Sequence, residues 1–443
     1  MSLAKVEACL YALLYLLGTV ILSYFLPRTS TTLLFLVYGG CFVLYWRLYQ
    51  LSSTGIDWKK ILALALLLRV ALFASTPSWS EDYARFLWDG HLVSKGLNPY
   101  TYTPAEMLEQ SEWAFGPFME ELYSLMNSPN YHSVYPPSNQ LVFGTAAFLS
   151  PEGILSGILV IRIVLFVFEM LAFYLIYLLL RLFQQPSHKL LLYALNPLVI
   201  MEVIGNLHFE GMMLTMILSG IYFFKKNRFS SSGAALALAV GIKLSPLMLL
   251  PAFLKRVPKK ASLRFIGVVG LVVLLSLWPL FHAWPGFSQS LNLYSNTFEF
   301  NASIYYLLRQ LGYWHVGYNT IGILGPLLKV VTLVLILFVS FRNKSKDAQS
   351  LLETLLLVYL IYFLLNTVVH PWYIIPALGI SVLTEKRGFI LWSFLIVLSY
   401  HAYQHQPYGE SAWYLFLEYG ILGWVLWKER IFASNAVIDR STE

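Results

Sequence analysis

The residues of this chain that could do chemistry sit in a few short polar segments. From Ser78 to Tyr100 it reads SWSEDYARFLWDGHLVSKGLNPY. Adjacent acids, Glu81 and Asp82, are followed by Arg85 and Asp89. On a helix Asp82, Arg85 and Asp89 stand at i, i+3 and i+7 and share one face. A carboxylate near the positive end of a helix can be held ionised and aimed at a substrate. Further on stand Arg162, His208 and Glu210 in NLHFEG, Lys243 in AVGIKLSPL, Arg309, and His370, Trp372 and Tyr373 in HPWY. Ionisable groups at membrane depth are expensive and read first as functional. Cations and imidazoles so placed are candidates to contact a substrate.

Each has a plainer alternative. Ser78 and Glu81 fit an S-x-x-E capping box, with Glu81 reaching back to the cap. Asp89 can be the structural partner of Arg85. Arg162 can pair with Glu169, seven residues on. Lys243 can snorkel to the surface, and Arg309 can simply be interfacial. Trp88, Trp372 and Tyr373 either stack on a substrate or join the aromatic belt. His208, Glu210, His370, His401 and His405 raise the question of a divalent metal. A spacing of two between His208 and Glu210 is awkward for one helix face, so no cofactor is expected and a metal is the alternative.

The elements that must position these groups are apolar. Of 443 residues, 58% are hydrophobic and 12% charged; a soluble domain carries about 25% charged residues. Apolar runs of membrane-spanning length recur along the chain, the mark of an all-α polytopic membrane protein. Spans are expected near 5–26, 31–50, 60–76, 154–182, 188–206, 210–225, 262–283, 319–341, 350–369, 371–384, 388–404 and 412–428, about twelve in all. The run 231–254 reads as a re-entrant hairpin, and 138–150 is too short to cross. With both ends cytoplasmic, most of the 30 Lys and Arg fall on the cytoplasmic side, including KKNR (225–228), KRVPKK (255–260), RNKSK (342–346), KER (428–430) and Arg440. The basic residues punctuate the spans and form no patch for nucleic acid. Cys9 and Cys41 lie in apolar runs, so no disulfide framework is expected. The chain reads as one membrane domain, 1–443.

On this map 77–137 is a long non-cytoplasmic loop carrying short interfacial helices. NLHFEG, residues 284–303, HPWY and HAYQHQPYGE face the same side. A loop of that length is a site more often than a connector. Within it the pattern predicts a helix over 79–94. Gly96 would close it in a left-handed turn, and Asn98 before Pro99 would be extended.

Six segments, in order, resemble the polyprenyl-phosphate-mannose-dependent mannosyltransferase-like family of the glycosyltransferase-C superfamily. EDYARFLWDGHLVSKGLNPYTYTP is similar to its D-D/E-x-x-R-Y-x-W-D-G…G-x-N-P-Y-x-Y-x-P signature, VYPPSNQLVFG to its Y-P-P segment, and NPLVIMEVIGNLHFEG to its N-P-L…E…N-x-H-x-D stretch. GIKLSPLMLLP resembles its K-x-x-P-L segment, FEFNASIYYLLR its f-N-x-S block and HPWYIIP its H-P-W-Y block. Departures are Glu81 where the family often has Asp, His91 where it often has Arg, and Glu210 where it often has Asp.

The resemblance implies a GT-C-like fold and transfer of a hexose, expected to be mannose, from a polyprenyl phosphate. The acceptor hydroxyl would lie on the extracytoplasmic face, with inversion. Asp82 would be the base and Glu81 its neighbour in catalysis. Arg85, Asp89, His91, Tyr135, Arg162, His208, Glu210, Lys243, Asn301, His370, Trp372 and Tyr373 would contact donor or acceptor. The acceptor would be a glycolipid, a polysaccharide or a protein, and the membrane a bacterial or archaeal plasma membrane. The alternatives are a flippase for a lipid-linked glycan, and a ligase or polymerase using diphosphate-linked glycans.

Overall fold

A computed structural model describes residues 3–110, 116–343, 345–404 and 408–429. His405, Lys344, Arg430 and Arg440 lie outside the described residues. Among those described there is no strand. A single parallel bridge pairs Phe300 with Val368.

The chain opens with α1 (Leu3–Tyr24) and α2 (Thr31–Ser53), which pack side by side, then α3 (Trp58–Val70). The loop region holds α4 (Asp82–Ser94), α5 (Pro104–Glu109), α6 (Pro117–Leu125) and α7 (Pro137–Leu149). After the long α8 (Ile154–Leu182) come two short pieces, α9 (Leu191–Ala194) and α10 (Pro197–Val199), and a π-helical turn at Ile200–Gly205. Then follow α11 (Glu210–Lys225), α12 (Phe229–Ile242), α13 (Leu250–Arg256), α14 (Lys259–Leu277), α15 (Trp284–Thr297), α16 (Ile304–Val316) and α17 (Ile321–Arg342). The chain continues through α18 (Ala348–Leu365), α19 (Ile375–Ser381), α20 (Gly388–Leu395) and α21 (Ala412–Lys428).

Among the described residues six helices are long and apolar enough to cross a membrane: Leu3–Tyr24, Thr31–Ser53, Ile154–Leu182, Lys259–Leu293, Ile321–Arg342 and Ala348–Leu365. The pair Ser187–Ala194 and Pro197–Gly205, bent by 52°, makes a seventh if taken as one broken span. The chain is a multi-pass membrane protein, and six of the about twelve expected spans coincide with such helices among the described residues. The runs 60–76, 210–225 and 412–428 give helices too short to count. Those at 188–206, 371–384 and 388–404 are broken into 3-10, π and α pieces. Proline explains two of the breaks: Pro197 and Pro376 each lack the N–H that would continue a helix, and each starts a new one. The 231–254 run is α12, a break at Lys243, a 3-10 turn at Ser245–Leu249 and α13.

The helix carrying the acids is shorter than predicted. It starts at Asp82, and Glu81 is its N-cap without a side-chain capping bond, so the Ser78 capping box does not form. The reason is competition: Glu81 pairs instead with Arg28 and accepts from Asn127 Nδ2 at 3.3 Å. The C-terminal expectation holds, with Gly96 at φ +74°. A true capping box forms in α5, where Thr103 and Glu106 bond each other's backbone N–H groups.

α4 does not lie on the surface. It packs on α7 and α8, and Tyr83 through Gly90 are all buried. Gly90, of the WDG triplet, permits this: a Cβ there would stand 2.2 Å from the Phe143 carbonyl oxygen. On its far face Arg85 pairs with Asp89 at 2.7 Å. Arg85 also donates to the carbonyls of Ser128 (3.2 Å) and Tyr131 (2.8 Å). Asp89 accepts from Ser133 and Gln140. This buried cluster ties the 126–135 segment to α4.

Two other buried arginines are structural. Arg162 donates to the carbonyls of Phe73, Ser75, Ile204 and Gly205, at 2.7–3.2 Å. It does not pair with Glu169, as the i+7 spacing allowed. Glu169 is taken by Arg69 at 2.8 Å and by the Tyr193 hydroxyl at 2.6 Å. Arg162 therefore holds the end of the π-helical turn in place.

Candidate active site

Asp82 is the first helical residue of α4, and its side chain is 23% exposed. Its Oδ2 faces Nε2 of His208 at 3.9 Å. His208 is 4% exposed, and its Nε2 has no hydrogen-bond partner. The other ring nitrogen, Nδ1, lies 3.0 Å from Oε2 of the fully buried Glu202.

The backbone that makes this arrangement is unusual. Glu202 lies in the π-helical turn, a geometry that is rare and concentrated at functional sites. The turn closes with the Asn206 N–H donating to the Met201 carbonyl at 2.8 Å. Leu207 then takes φ +64°, strained for a side chain with a Cβ. The His208 N–H folds back to the Glu202 carbonyl at 2.9 Å. A left-handed residue at 207 is what turns His208 back over Glu202. Asn206 bridges outward, accepting from the Trp79 N–H at 3.1 Å, and so links this turn to the segment that leads into α4.

The imidazole of His208 lies flat on Trp372, with ring centres 3.7 Å apart and planes 13° apart. His370 also stacks on Trp372, at 4.5 Å and 3°. Two imidazoles thus lie parallel to the Trp372 indole. Phe300 continues the column against His370 at 4.6 Å. It is brought there by the bridge in which Phe300 bonds Thr367 and Val369.

Two cations flank the site. Lys243, at the break after α12, pairs with buried Glu210 and lies 4.3 Å above the Tyr373 ring. Arg28, in the turn between α1 and α2, pairs with Glu81 and sits 4.0 Å over Tyr403. Each cation is tied to a carboxylate next to, or two residues from, Asp82 or His208. His370 feels this charge: burial, then His208, Lys243 and Arg28, hold its imidazole well below the usual histidine range. Tyr135 packs under α4 against Phe86 and Phe143. Burial, and next the Asp82 carboxylate beside it, push its phenol up.

The sequence-predicted residues therefore divide. Asp82, Glu81, His208, Glu210, Lys243, Tyr135, His370, Trp372 and Tyr373 come together. Arg85, Asp89 and Arg162 are buried in structural networks beside the site. His91 lies further along α4 near Phe118. Asn301, fully buried at φ +47°, receives Tyr419 on its carbonyl and bonds Glu410 and Glu418. Arg309 pairs with Glu299 and is not merely interfacial. His401 accepts at Nε2 from the Ser411 N–H, 2.6 Å away. Among the described residues no group of three or more His, Cys, Asp or Glu is arranged to hold a metal ion.

Two members of the site were given no role by the sequence reading. Glu202 falls on the acid of the N-P-L…E…N-x-H-x-D stretch, and it is a lone acid inside an apolar run, the signal that marks a functional group at membrane depth. Arg28 is a lone cation on the side that the charge map leaves poor in Lys and Arg.

Buried carboxylate, imidazole and partly exposed carboxylate in a row, with cations on both flanks, suit transfer of a group from an anionic leaving group to a hydroxyl. Residues 9–258, more than half of the chain, match the model of the MptA_B family, described as alpha-(1->6)-mannopyranosyltransferase, N-terminal domain. The chain belongs to this family. It is a membrane mannosyltransferase, as the six segments imply. None of the curated proteins matches the chain. The family match covers Arg28, Asp82, Glu202, His208, Glu210 and Lys243. It stops before His370 and Trp372, so this mannosyltransferase completes its column of rings with residues beyond the matched region.

Proposed function

We propose that this mannosyltransferase moves mannose from a polyprenyl phosphate to an acceptor hydroxyl, with Asp82 as the base. The reading rests chiefly on one observation. Asp82 is a partly exposed carboxylate that, unlike Glu81, is not paired with a cation, and it faces an unpartnered buried imidazole nitrogen. Its oxygen takes the hydroxyl proton while the acceptor oxygen attacks the anomeric carbon. Glu81, held by Arg28, shapes the negative side of the site. Lys243 and Arg28 face the departing phosphate, exchanging their carboxylate partners for its oxygens. The same charge-assisted bonds that now neutralise them then stabilise the leaving group.

In this reading the whole chain is one membrane domain and 77–137 is its catalytic loop. The pocket opens on the extracytoplasmic side of a bacterial or archaeal plasma membrane. Arg69, Arg162 and Glu169 are satisfied within the bundle, so the polar groups left for substrate gather at one end. The acceptor is a glycolipid, polysaccharide or protein hydroxyl.

The test is transfer by the detergent-purified chain from radiolabelled polyprenyl-phosphate mannose and, in parallel, from a diphosphate-linked donor. The monophosphate is expected to be consumed and the diphosphate spared. Consumption of neither donor, or of the diphosphate alone, sinks the proposal.

A further inference from the structure

Glu202 was given no expected role, yet both of its carboxylate oxygens are bonded. The Tyr400 hydroxyl donates to its Oε1 at 2.6 Å, and Asn206 Nδ2 donates to its Oε2 at 3.3 Å. His208 Nδ1 approaches the same Oε2 at 3.0 Å. Such a carboxylate acts as an acceptor on every side, which assigns the ring proton of His208 to Nδ1. The Nε2 lone pair is then left pointing at Asp82 Oδ2, 3.9 Å away, with nothing bonded to it. Trp372 and the strained backbone at Leu207 prevent the ring from turning elsewhere.

We propose that Glu202 and His208 are a proton outlet for Asp82: His208 Nε2 takes the proton that Asp82 has accepted, and Glu202 holds the resulting imidazolium. This rests on Asp82 being the base. In the transfer step the acceptor O–H bond breaks and its oxygen bonds to the anomeric carbon. The anomeric carbon–phosphate oxygen bond breaks, and its electron pair leaves on the polyprenyl phosphate. The proton goes to Asp82 Oδ2, then to His208 Nε2, and is lost to water when the products depart. The gap of 3.9 Å is closed by rotation of the Asp82 carboxylate or by one water. Glu202 touches no substrate and is a positioning residue; its charge and its bond to Nδ1 set the basicity of Nε2.

The charged surroundings of His208 fit this role. Asp82 faces it from α4 and Glu202 from its own segment. His370 stacks on Trp372, and burial together with its basic neighbours keeps it neutral, so it adds no positive charge against the imidazolium. Lys243 and Arg28 are neutralised by Glu210 and Glu81 until phosphate arrives.

The experiment measures the pH profile of kcat and KM with short-chain polyprenyl-phosphate mannose as donor. A synthetic α-mannoside and the native membrane extract serve as acceptors. Glu202→Gln is expected to lower kcat about 100-fold with little change in KM. It is also expected to move the acid limb of the profile down by about one pH unit, because the imidazolium loses its counter-charge. Glu202→Asp returns the limb toward its original position. Tyr400→Phe strips one donor from Glu202 and moves the limb the opposite way, and it serves if Glu202→Gln does not fold. His208→Gln and the double variant Glu202→Gln/His208→Gln are expected to be equally slow, since the two residues act as a unit. An unmoved acid limb in Glu202→Gln and Tyr400→Phe, or losses that add in full, overturns the outlet while leaving Asp82 as base. A parent enzyme that consumes no polyprenyl-phosphate donor overturns the underlying reading and the outlet with it.

Discussion

Asp82 and His208 are 126 positions apart in the chain, and the structure sets the carboxylate of one 3.9 Å from the imidazole of the other. Neither is fully committed elsewhere: Asp82 keeps an exposed edge, and Nε2 of His208 has no partner. Around them Glu81 is paired with Arg28 and Glu210 with Lys243, while Glu202 is held by neutral donors.

That contrast separates Asp82 from Glu81. Replacing Asp82 by Asn should lower kcat by about 10²–10⁴-fold, the usual worth of a placed base. Glu81→Gln should cost on the order of tenfold or less, because its visible work is to hold Arg28. Mannose transfer at saturating donor measures both. Equal losses in the two variants would contradict the assignment of the base to position 82.

Lys243 and Glu210 should separate folding from chemistry. Lys243→Met leaves Glu210 buried and unpaired, and removing one partner of a buried pair costs about 3–5 kcal/mol, less here because Lys243 is 36% exposed. The double variant Lys243→Met/Glu210→Gln should recover most of the melting temperature in detergent. Its rate should stay low, on the order of 100-fold down, because the phosphate-facing cation is still missing. Recovery of rate together with stability would make Lys243 purely structural.

Arg85 and Asp89 should behave oppositely. Asp89→Asn strands Arg85 among buried carbonyls and should lower stability by about 3 kcal/mol. The surviving folded fraction should still turn over within a few-fold of the parent. Denaturation followed by tryptophan fluorescence, alongside activity normalised to folded protein, checks both.

Gly90→Ala tests the close approach of α4 to α7. A methyl group 2.2 Å from the Phe143 carbonyl oxygen cannot be absorbed by a flexible side chain, since the obstacle is backbone. Overpacking of this kind costs about 1–3 kcal/mol, and the shift of α4 should carry Asp82 away from His208. Both melting temperature and kcat should fall.

Stability should depend on pH through His370. Its folded imidazole titrates well below the ordinary value of 6.5 because burial and basic neighbours oppose its charge. Above pH 6.5 both folded and unfolded forms are neutral, and the full stability is present. As pH falls below 6.5 the unfolded chain binds a proton that the folded chain refuses, so stability is lost, by about 1.4 kcal/mol per unit of pKa difference. The melting temperature in detergent should drop between pH 7 and pH 5. In His370→Gln that drop should shrink.

Much of this was legible in residue order. Membrane class follows from apolar length alone. The helix bearing Asp82, its left-handed stop at Gly96, and the meeting of loop acids with distant histidines and Lys243 all appear as expected. The span map carried over in part. Hydropathy reports how apolar a run is, and a run broken by Pro197 or Pro376 is as apolar as an unbroken one. The capping of α4 was misread for a related reason: Ser78 and Glu81 have the right spacing, but Arg28 outcompetes the backbone for Glu81.

The sequence by itself determined the class of the protein, the family resemblance and most of the polar groups that could take part, because residue type and local spacing are written in order along the chain. Only the tertiary structure decided which of these groups gather around Asp82 and His208 and which are consumed in packing. Arg162 and Asp89 were drawn into buried networks. Glu202 was placed behind His208 by a π-helical turn and a strained Leu207 that no propensity favours. The reason is physical: whether a buried charge is free to act depends on which partners satisfy it, and most of those partners come from other segments, 42 to 89 positions away for Arg162 and 198 for the Tyr400 hydroxyl on Glu202.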